Sequence, residues 1–332
     1  MNIGINGASC DIAKKIMTSD DIAYFSGMPE KYIFEKLGFK EKRIAESNEH
    51  PSDFAIRAVK SVLHTTRISP EDINCIIYCS SGIYDYQFWS PSSYIQDTID
   101  AKNALTFEIN NGCNSATMGM FLAENLMKSQ SWEYALVIIS DTLSKFIDYS
   151  DHDLFPLFSF SDGAAAIIVQ KNCDNHTILA QALHSDGEYA NCNKIIAGGT
   201  HYTALKNFTI NDMYIKLENK DKIKKLRENI IENAYIKVIN KSLEIAGINH
   251  NDLSLVLTNQ NTKKIIRNVF KRLGIPKEKS YSTIEKYGHL GGVDTFFALE
   301  ACLKKQFLKK GDLVLLATAG IGFNWGAQII CI

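Results

Sequence analysis

The sequence has no CxxC cysteine pair, no excess of basic residues and no apolar run long enough to cross a membrane. Its 332 residues carry a formal net charge of -1, whereas binding to nucleic-acid phosphates requires a basic excess. A membrane-spanning helix requires about 20 apolar residues in succession. The opening segment, MNIGINGASCDIAKK, lacks the basic start and apolar core of a secretory signal. These absences predict a cytoplasmic chain that binds neither nucleic acid nor membrane.

The eight cysteines are scattered along the chain, and none belongs to a CxxC pair. This scatter suggests neither a zinc site nor a disulfide framework. We therefore expect free thiols, no metal site and no permanently bound cofactor. Most buried thiols behave as small inert hydrophobic groups. Only Cys113 has an unusual setting in the sequence.

Short apolar segments alternate with amphipathic segments of helical period, which is typical of an α/β fold. We predict strands at residues 75–79, 104–108, 134–140, 164–170, 177–181, 253–258, 312–318 and 327–332, and helices at 116–128, 222–245 and 294–304. The same order of segments is repeated after residue 172, and no flexible linker separates the copies. The sequence therefore predicts two fused, tightly packed halves, residues 1–172 and 173–332.

Cys113 lies in the segment LTFEINNGCNSATMGM, after a predicted strand and at the start of a predicted helix. The small residues Gly112 and Ser115 allow a tight turn at this junction. The first turn of a helix offers unpaired N–H groups and the positive end of the helix dipole, which favour a thiolate. A thiolate can attack a thioester and hold the acyl group covalently. The alternative is a buried, unreactive cysteine at a strand–helix junction, which the glycine and the other small residues weaken.

The chain resembles the ketoacyl-ACP synthase III branch of the thiolase superfamily. Seven segments carry the resemblance in the family's order: LGFKEKRIA, EINNGCNSATMGM, ALVIISDTLSKFID, LFSFSDGAAAIIV, KSLEIAGINHNDLSLVLTNQNTKKI, EKYGHLGGVDTFFALE and ATAGIGFNWGAQIICI. The resemblance implies the thiolase fold, with two pseudo-symmetric αβαβα halves, and a homodimer. It also implies a decarboxylative condensation, in which a malonyl thioester loses carbon dioxide and its enolate attacks the acyl group on Cys113.

In that family, a His and an Asn hold the thioester oxygen while the enolate forms. Here Asn259 occupies the His position and His289 occupies the Asn position, so the pair is exchanged. Both side chains can donate a hydrogen bond to a developing oxyanion, which keeps condensation possible. The resemblance further implies that the backbone N–H groups of Cys113 and Gly322 form the oxyanion hole.

The exchange leaves two other hypotheses open. In the first, His289 acts as a general base, oriented by Asp294, and an alcohol or amine attacks acyl-Cys113 without decarboxylation, as in the CerJ-like acyltransferases. In the second, neither His289 nor Asn259 acts, and the chain is a non-catalytic subunit of a heterodimer. The exchange favours a dedicated step, such as one in secondary metabolism, over the initiation of fatty-acid synthesis.

Three residues are predicted to bind the acyl donor by resemblance. Tyr32 falls where the family has a Trp that stacks on the adenine of coenzyme A, and Lys36 and Lys264 fall near the family's basic phosphate contacts. The implied substrates are coenzyme A or phosphopantetheine thioesters, presented as acyl-CoA or on an acyl carrier protein. For each lysine, an ordinary solvated surface position is the alternative.

Overall fold

The computed structural model describes residues 2–201, 209–260 and 262–332. The strands are β1 (Ile3–Ile12), β2 (Lys15–Thr18), β3 (Glu41–Ile44), β4 (Ile73–Ser80), β5 (Leu105–Asn110), β6 (Tyr134–Thr142), β7 (Asp162–Lys171), β8 (Thr177–Ser185), β9 (Asn193–Ile195), β10 (Ile215–Leu217), β11 (Leu255–Thr258), β12 (Leu313–Gly320) and β13 (Asn324–Cys331). The helices are α1 (Ser19–Ser26), α2 (Glu30–Leu37), α3 (Pro51–Thr66), α4 (Pro91–Thr98), α5 (Ser115–Ser129), α6 (Lys220–Lys225), α7 (Ile231–Ala246), α8 (Lys263–Leu273), α9 (Ile284–Tyr287) and α10 (Asp294–Lys304). A π-helical turn, Leu226–Ile230, joins α6 to α7.

Nine strands form one sheet in the order β11-β12-β13-β8-β1-β7-β6-β4-β5. In the first half, β7 is antiparallel to β1 and β6, and β4 is parallel to β6 and β5. The second half repeats this plan, because β13 is antiparallel to β8 and β12, and β11 is parallel to β12. The two halves of the sheet meet where Gly4 pairs with Thr177. This repeat confirms the predicted α/β class with two pseudo-symmetric halves.

Every predicted strand and helix overlaps an observed one, although the predicted helix 222–245 is interrupted by the π-helical turn. The predicted division between residues 172 and 173 falls in the connection between β7 and β8. As a division into two domains it stays a prediction.

The helices α5 and α10 are buried between the two halves of the sheet. Met120 of α5 and Phe296 of α10 share one apolar core with Val137 of β6 and Leu316 of β12. On the outer faces, α3 covers the first half and α7 and α8 cover the second. Helix and sheet layers therefore alternate, and the N-termini of the two central helices lie side by side. A Cβ built at Gly292, just before α10, would lie 3.2 Å from the carbonyl oxygen of Cys113.

Within the described residues, no helix combines the length and the apolarity that a membrane span requires. No group of three or more His, Cys, Asp and Glu side chains in this part of the chain is arranged to hold a metal ion. All eight cysteines are free thiols.

Candidate active site

Cys113 lies between the end of β5 and the start of α5, as predicted, in a short 3-10 turn formed by Gly112–Asn114. Gly112 has a φ of +57°, and a Cβ at this position would lie 2.6 Å from the backbone nitrogen of Ile321. The Ser115 hydroxyl donates to the carbonyl oxygen of Ser80 at 2.6 Å, which anchors the turn to β4. The small residues therefore allow a sharp turn and close contact with the second half of the chain.

His289 and Asp294 form a buried pair beside Cys113. The Nδ1 atom of His289 lies 2.5 Å from Oδ2 of Asp294. The same carboxylate accepts hydrogen bonds from the backbone nitrogens of Leu290, at 2.8 Å, and Gln260, at 2.7 Å. The His289 side chain also hydrogen-bonds to Cys113, and Nε2 is the ring nitrogen that the bond to Asp294 leaves available for it. The carboxylate thus fixes the orientation of the imidazole.

Opposing effects act on the proton affinity of His289. Burial lowers the pKa of His289, but the carboxylate of Asp294 and the thiol of Cys113 raise it more strongly, to about 10. Both Cys113 and His289 line the same cavity. A Cβ at Gly291, two residues beyond His289, would lie 3.8 Å from the Sγ atom of Cys113. The arrangement therefore favours an imidazolium next to the Cys113 side chain.

This raised pKa predicts a pH dependence of stability. Between the ordinary His pKa of 6.5 and about 10, the folded chain holds more protons at His289 than the unfolded chain. The stabilisation is complete below about pH 6.5 and is lost as the pH rises through about 10. We expect the Tm, measured by circular dichroism, to fall more between pH 7 and about 10.5 in the wild type than in His289→Gln. An equal fall in both proteins would contradict the prediction.

Asn259 is placed differently from His289. Its Nδ2 atom donates to the carbonyl oxygen of Ala319 at 2.9 Å, and its Oδ1 atom accepts from the nitrogen of Ala319 at 3.2 Å. The Tyr235 hydroxyl also donates to Oδ1. Asn259 is absent from the described residues that line the cavity. The structure therefore does not bring Asn259 and His289 to one wall of the cavity, and the amide of Asn259 ties the end of β11 to the end of β12.

The segment Gly320-Ile321-Gly322 packs directly on the turn that carries Cys113. A Cβ at Gly320 would lie 2.7 Å from the backbone nitrogen of Cys113, so only glycine allows this contact. Among the described residues, the cavity wall includes Gly320 and Ile321 but not Gly322. The role of the Gly322 N–H in the oxyanion hole stays a prediction, and the backbone of Ile321 is the part of this segment that lies nearest to the turn.

The cavity that reaches Cys113 has a volume of about 510 Å³. Two of the predicted donor-binding residues, Lys36 and Lys264, line it. The third, Tyr32, stacks on Phe155, another lining residue, with 5.3 Å between ring centroids. The Nζ atom of Lys36 lies 5.7 Å from the centre of the Tyr32 ring. Tyr32 and Lys36 therefore lie together on α2, and Lys264 lines the same cavity from α8.

Sequence reasoning missed two groups of cavity residues. Arg227 and Glu228 reach the cavity from the π-helical turn, which no sequence pattern marked. Ser159 and Phe160 line it next to His289. They belong to the segment LFSFSDGAAAIIV, which carries part of the family resemblance, but no pattern in that segment indicates that these two residues line a cavity.

Comparison with known proteins agrees with this architecture. Residues 107–187 match the family described as 3-oxoacyl-[acyl-carrier-protein (ACP)] synthase III, and residues 243–332 match its C-terminal part. A relative from Ehrlichia chaffeensis, named beta-ketoacyl-[acyl-carrier-protein] synthase III, is 31% identical over 98% of both chains. A relative of the same name from Caldanaerobacter subterraneus subsp. tengcongensis is 29% identical over 98% of this chain and 97% of its own.

A solved structure extends the comparison to three dimensions. The 3-oxoacyl-[acyl-carrier-protein] synthase III of Aquifex aeolicus has 27% identity and a TM-score of 0.86, covering 99% of this chain and all of its own. The chain is therefore an enzyme, an acyltransferase with the thiolase fold. It belongs to the 3-oxoacyl-[acyl-carrier-protein] synthase III family.

Proposed function

We propose that the enzyme carries an acyl group on Cys113 and transfers it to an alcohol or amine without decarboxylation. The observation that carries this proposal is the contact of His289 with both Asp294 and Cys113. Nucleophile, base and carboxylate in this order form the kind of triad that activates acceptors for acyl transfer. The amide of Asn259 is hydrogen-bonded to Ala319, and Asn259 is not among the described residues that line the cavity, which favours a reaction carried by His289 and Asp294.

The first half-reaction loads the enzyme. The thiolate of Cys113 attacks the carbonyl carbon of the donor thioester, and the oxygen becomes negatively charged near the backbone of Ile321. The tetrahedral intermediate collapses with cleavage of the bond between the acyl carbon and the donor sulfur. The departing sulfur takes a proton from the imidazolium of His289. Acyl-Cys113 then stands beside a neutral imidazole.

The second half-reaction unloads the enzyme. The acceptor oxygen or nitrogen attacks the acyl carbon while His289 takes the proton that the acceptor loses. The bond to the Cys113 sulfur breaks, an ester or amide leaves, and the thiolate is restored beside an imidazolium. Asp294 stabilises the positive charge that forms on His289 and holds the ring towards the cavity.

The donor in this proposal is a coenzyme A or phosphopantetheine thioester. The cavity has cations at its wall, Lys36, Lys264 and Arg227, and apolar residues such as Phe160 deeper towards Cys113. Lysines bind phosphate as point charges, and an aromatic ring such as Tyr32 can stack on a base. Both acyl-CoA and an acyl carrier protein can therefore present the thioester at this opening.

Decarboxylative condensation is the second candidate function. It is favoured by family membership and by relatives of nearly full length that are named for forming β-ketoacyl products. With a pKa of about 10, the imidazolium of His289 holds a proton that a developing enolate oxygen can accept. In either case we place the enzyme in a dedicated biosynthetic step rather than in fatty-acid initiation.

The deciding experiment follows the acyl group and carbon dioxide together. The protein is first loaded from a panel of acyl-CoAs and acyl carrier proteins, and the adduct is detected by intact mass. Alcohols, amines and malonyl thioesters are then added separately. Discharge to an alcohol or amine without carbon dioxide supports the proposal, and discharge only with carbon dioxide release establishes condensation instead. No adduct from any donor would favour the non-catalytic subunit.

We also propose a homodimer that forms along β5. This strand is an edge of the nine-stranded sheet, and unpaired edges are sites of association. Beside it lie exposed aromatic side chains, Tyr86, Phe88 and Tyr94, around the ring of Trp89. Exposed apolar patches of this kind mark protein interfaces.

Light scattering should therefore give the wild type twice the chain mass of 37.2 kDa. Phe88→Asp should shift the protein towards the monomer, because a carboxylate would be buried in an apolar interface. Tyr24→Asp, at an exposed aromatic on α1, is the matched control and should remain dimeric. A wild type that stays monomeric at micromolar concentration would refute the dimer.

A further inference from the structure

A buried lysine lies behind the segment that packs against His289. Lys42, on β3, is fully buried. Its Nζ atom donates to the Tyr149 hydroxyl at 2.6 Å and to the carbonyl oxygens of Phe158 at 2.8 Å and Phe160 at 2.9 Å. An ammonium removed from water is tolerated only when other acceptors replace its hydration. These three acceptors match the three N–H donors of the ammonium.

The two carbonyls that Lys42 binds belong to a segment that holds the backbone of His289. The nitrogen of His289 donates to the carbonyl oxygen of Ser159 at 2.7 Å, and the nitrogen of Ser161 donates to the carbonyl oxygen of His289 at 2.8 Å. Gly288 has a φ of +65°, and a Cβ there would lie 2.7 Å from Cβ of Lys42. The backbone immediately before His289 therefore packs directly against Lys42.

A buried carboxylate balances the charge of Lys42. Asp162 is fully buried and accepts hydrogen bonds from the backbone nitrogen of Ala45 at 2.7 Å and the Ser144 hydroxyl at 2.5 Å. Burial lowers the pKa of Lys42, to about 7, and raises the pKa of Asp162, while the opposite charge of each partner counteracts the shift of the other. Removing the ammonium would therefore leave Asp162 without its nearby positive charge, as well as two carbonyls without a donor.

We propose that Lys42 is a positioning residue for the reaction. By holding the carbonyls of Phe158 and Phe160, it fixes the backbone of His289 and the Phe160 ring, whose centroid is 5.0 Å from that of the imidazole. Lys42 is not among the described residues that line the cavity, so it acts through His289. The inference rests on the proposed function only in taking Cys113 and His289 as the reacting pair.

The test compares Lys42→Met, which keeps the length of the side chain, with Lys40→Met as the matched control. Lys40 lies two residues away, is exposed, and pairs with Glu285 at the surface. The first measurement is the rate of Cys113 alkylation by iodoacetamide at neutral pH, which needs neither acyl donor nor acceptor. We expect alkylation about tenfold slower in Lys42→Met, because the imidazolium is displaced from the thiolate.

The second measurement separates kcat from KM for the acyl donor. In Lys42→Met, kcat should fall by about 10- to 100-fold while KM stays within about twofold, since the cavity opening is unchanged. Lys40→Met should match the wild type in both, and Lys42→Arg should recover much of kcat because it keeps the charge.

Tyr149→Phe provides a second test in case Lys42→Met does not fold. It removes one acceptor of Lys42, keeps the aromatic ring, and should slow alkylation about threefold while lowering Tm less than Lys42→Met does. A wild-type alkylation rate in folded Lys42→Met, or in Tyr149→Phe if Lys42→Met does not fold, would overturn the proposal. Since alkylation does not depend on the acceptor, failure of the proposed acyl transfer would leave this result interpretable.

Discussion

Replacing Asp294 by asparagine should slow the discharge of acyl-Cys113 to its acceptor by about 10³-fold. The carboxylate binds Nδ1 of His289 at 2.5 Å and helps raise the pKa of the imidazole. An amide has nearly the same shape but no charge, so it no longer stabilises the imidazolium that forms as the acceptor loses its proton. The decay of the acyl adduct, followed by intact mass after the acceptor is added, measures the effect.

Asn259→Ala is the informative comparison for Asp294→Asn. If Asn259 and His289 together held an enolate oxygen, Asn259→Ala would reduce activity as much as Asp294→Asn does. In the proposed triad, Asn259→Ala chiefly removes hydrogen bonds to Ala319. It should therefore lower Tm and leave the rate of discharge nearly unchanged. Discharge in Asp294→Asn within about threefold of the wild type would contradict the triad.

Cys113→Ala should abolish the covalent acyl adduct and reduce turnover by at least about 10³-fold. The other seven cysteines remain in this variant, so an adduct found only on the wild type identifies the carrier of the acyl group. Cys113 is 4% exposed and lies against backbone, so the smaller side chain should leave the fold intact. The measurement is intact mass after incubation with the donor that loads the wild type, with Tm recorded for both proteins.

Cys113→Ser refines this result. A serine keeps the size and hydrogen bonding of the site but is a far weaker nucleophile than a thiolate at neutral pH. We expect slow or undetectable loading, with any adduct long-lived as an oxygen ester. An adduct that persists in Cys113→Ala would show that another cysteine, or a different nucleophile, carries the acyl group.

The sequence predicted the surroundings of Cys113 well because its signals are local. A strand, a small-residue turn and a helix follow one another within about 20 residues, and each has its own pattern. β1 was missed, because Gly4, Asn6 and Gly7 interrupt its apolar pattern. It forms nonetheless because β7 and β8 flank it, and tertiary pairing outweighs weak local preference.

The contact of His289 with Asp294 was only a hypothesis from sequence, because a separation of five residues does not place two side chains on one helix face. The structure makes the contact through a turn, in which Gly291 has a φ of +64°, before α10 begins. The buried position of Lys42 could not be predicted from the sequence for a different reason. The run KEKR reads as a charged surface segment, and the acceptors that bury Lys42 lie more than 100 residues away in sequence.

The two central helices hold equivalent places in the repeated halves, since α5 leads into β6 and α10 leads into β12. Yet the loop before α5 carries the thiol, and the loop before α10 carries the imidazole. Two identical halves would have the same side chain at these equivalent positions, either two thiols or two imidazoles. Because the two halves of this chain differ in sequence, their equivalent loops can carry different residues, a cysteine in one and a histidine in the other. Neither half, made alone, would contain the complete reacting pair.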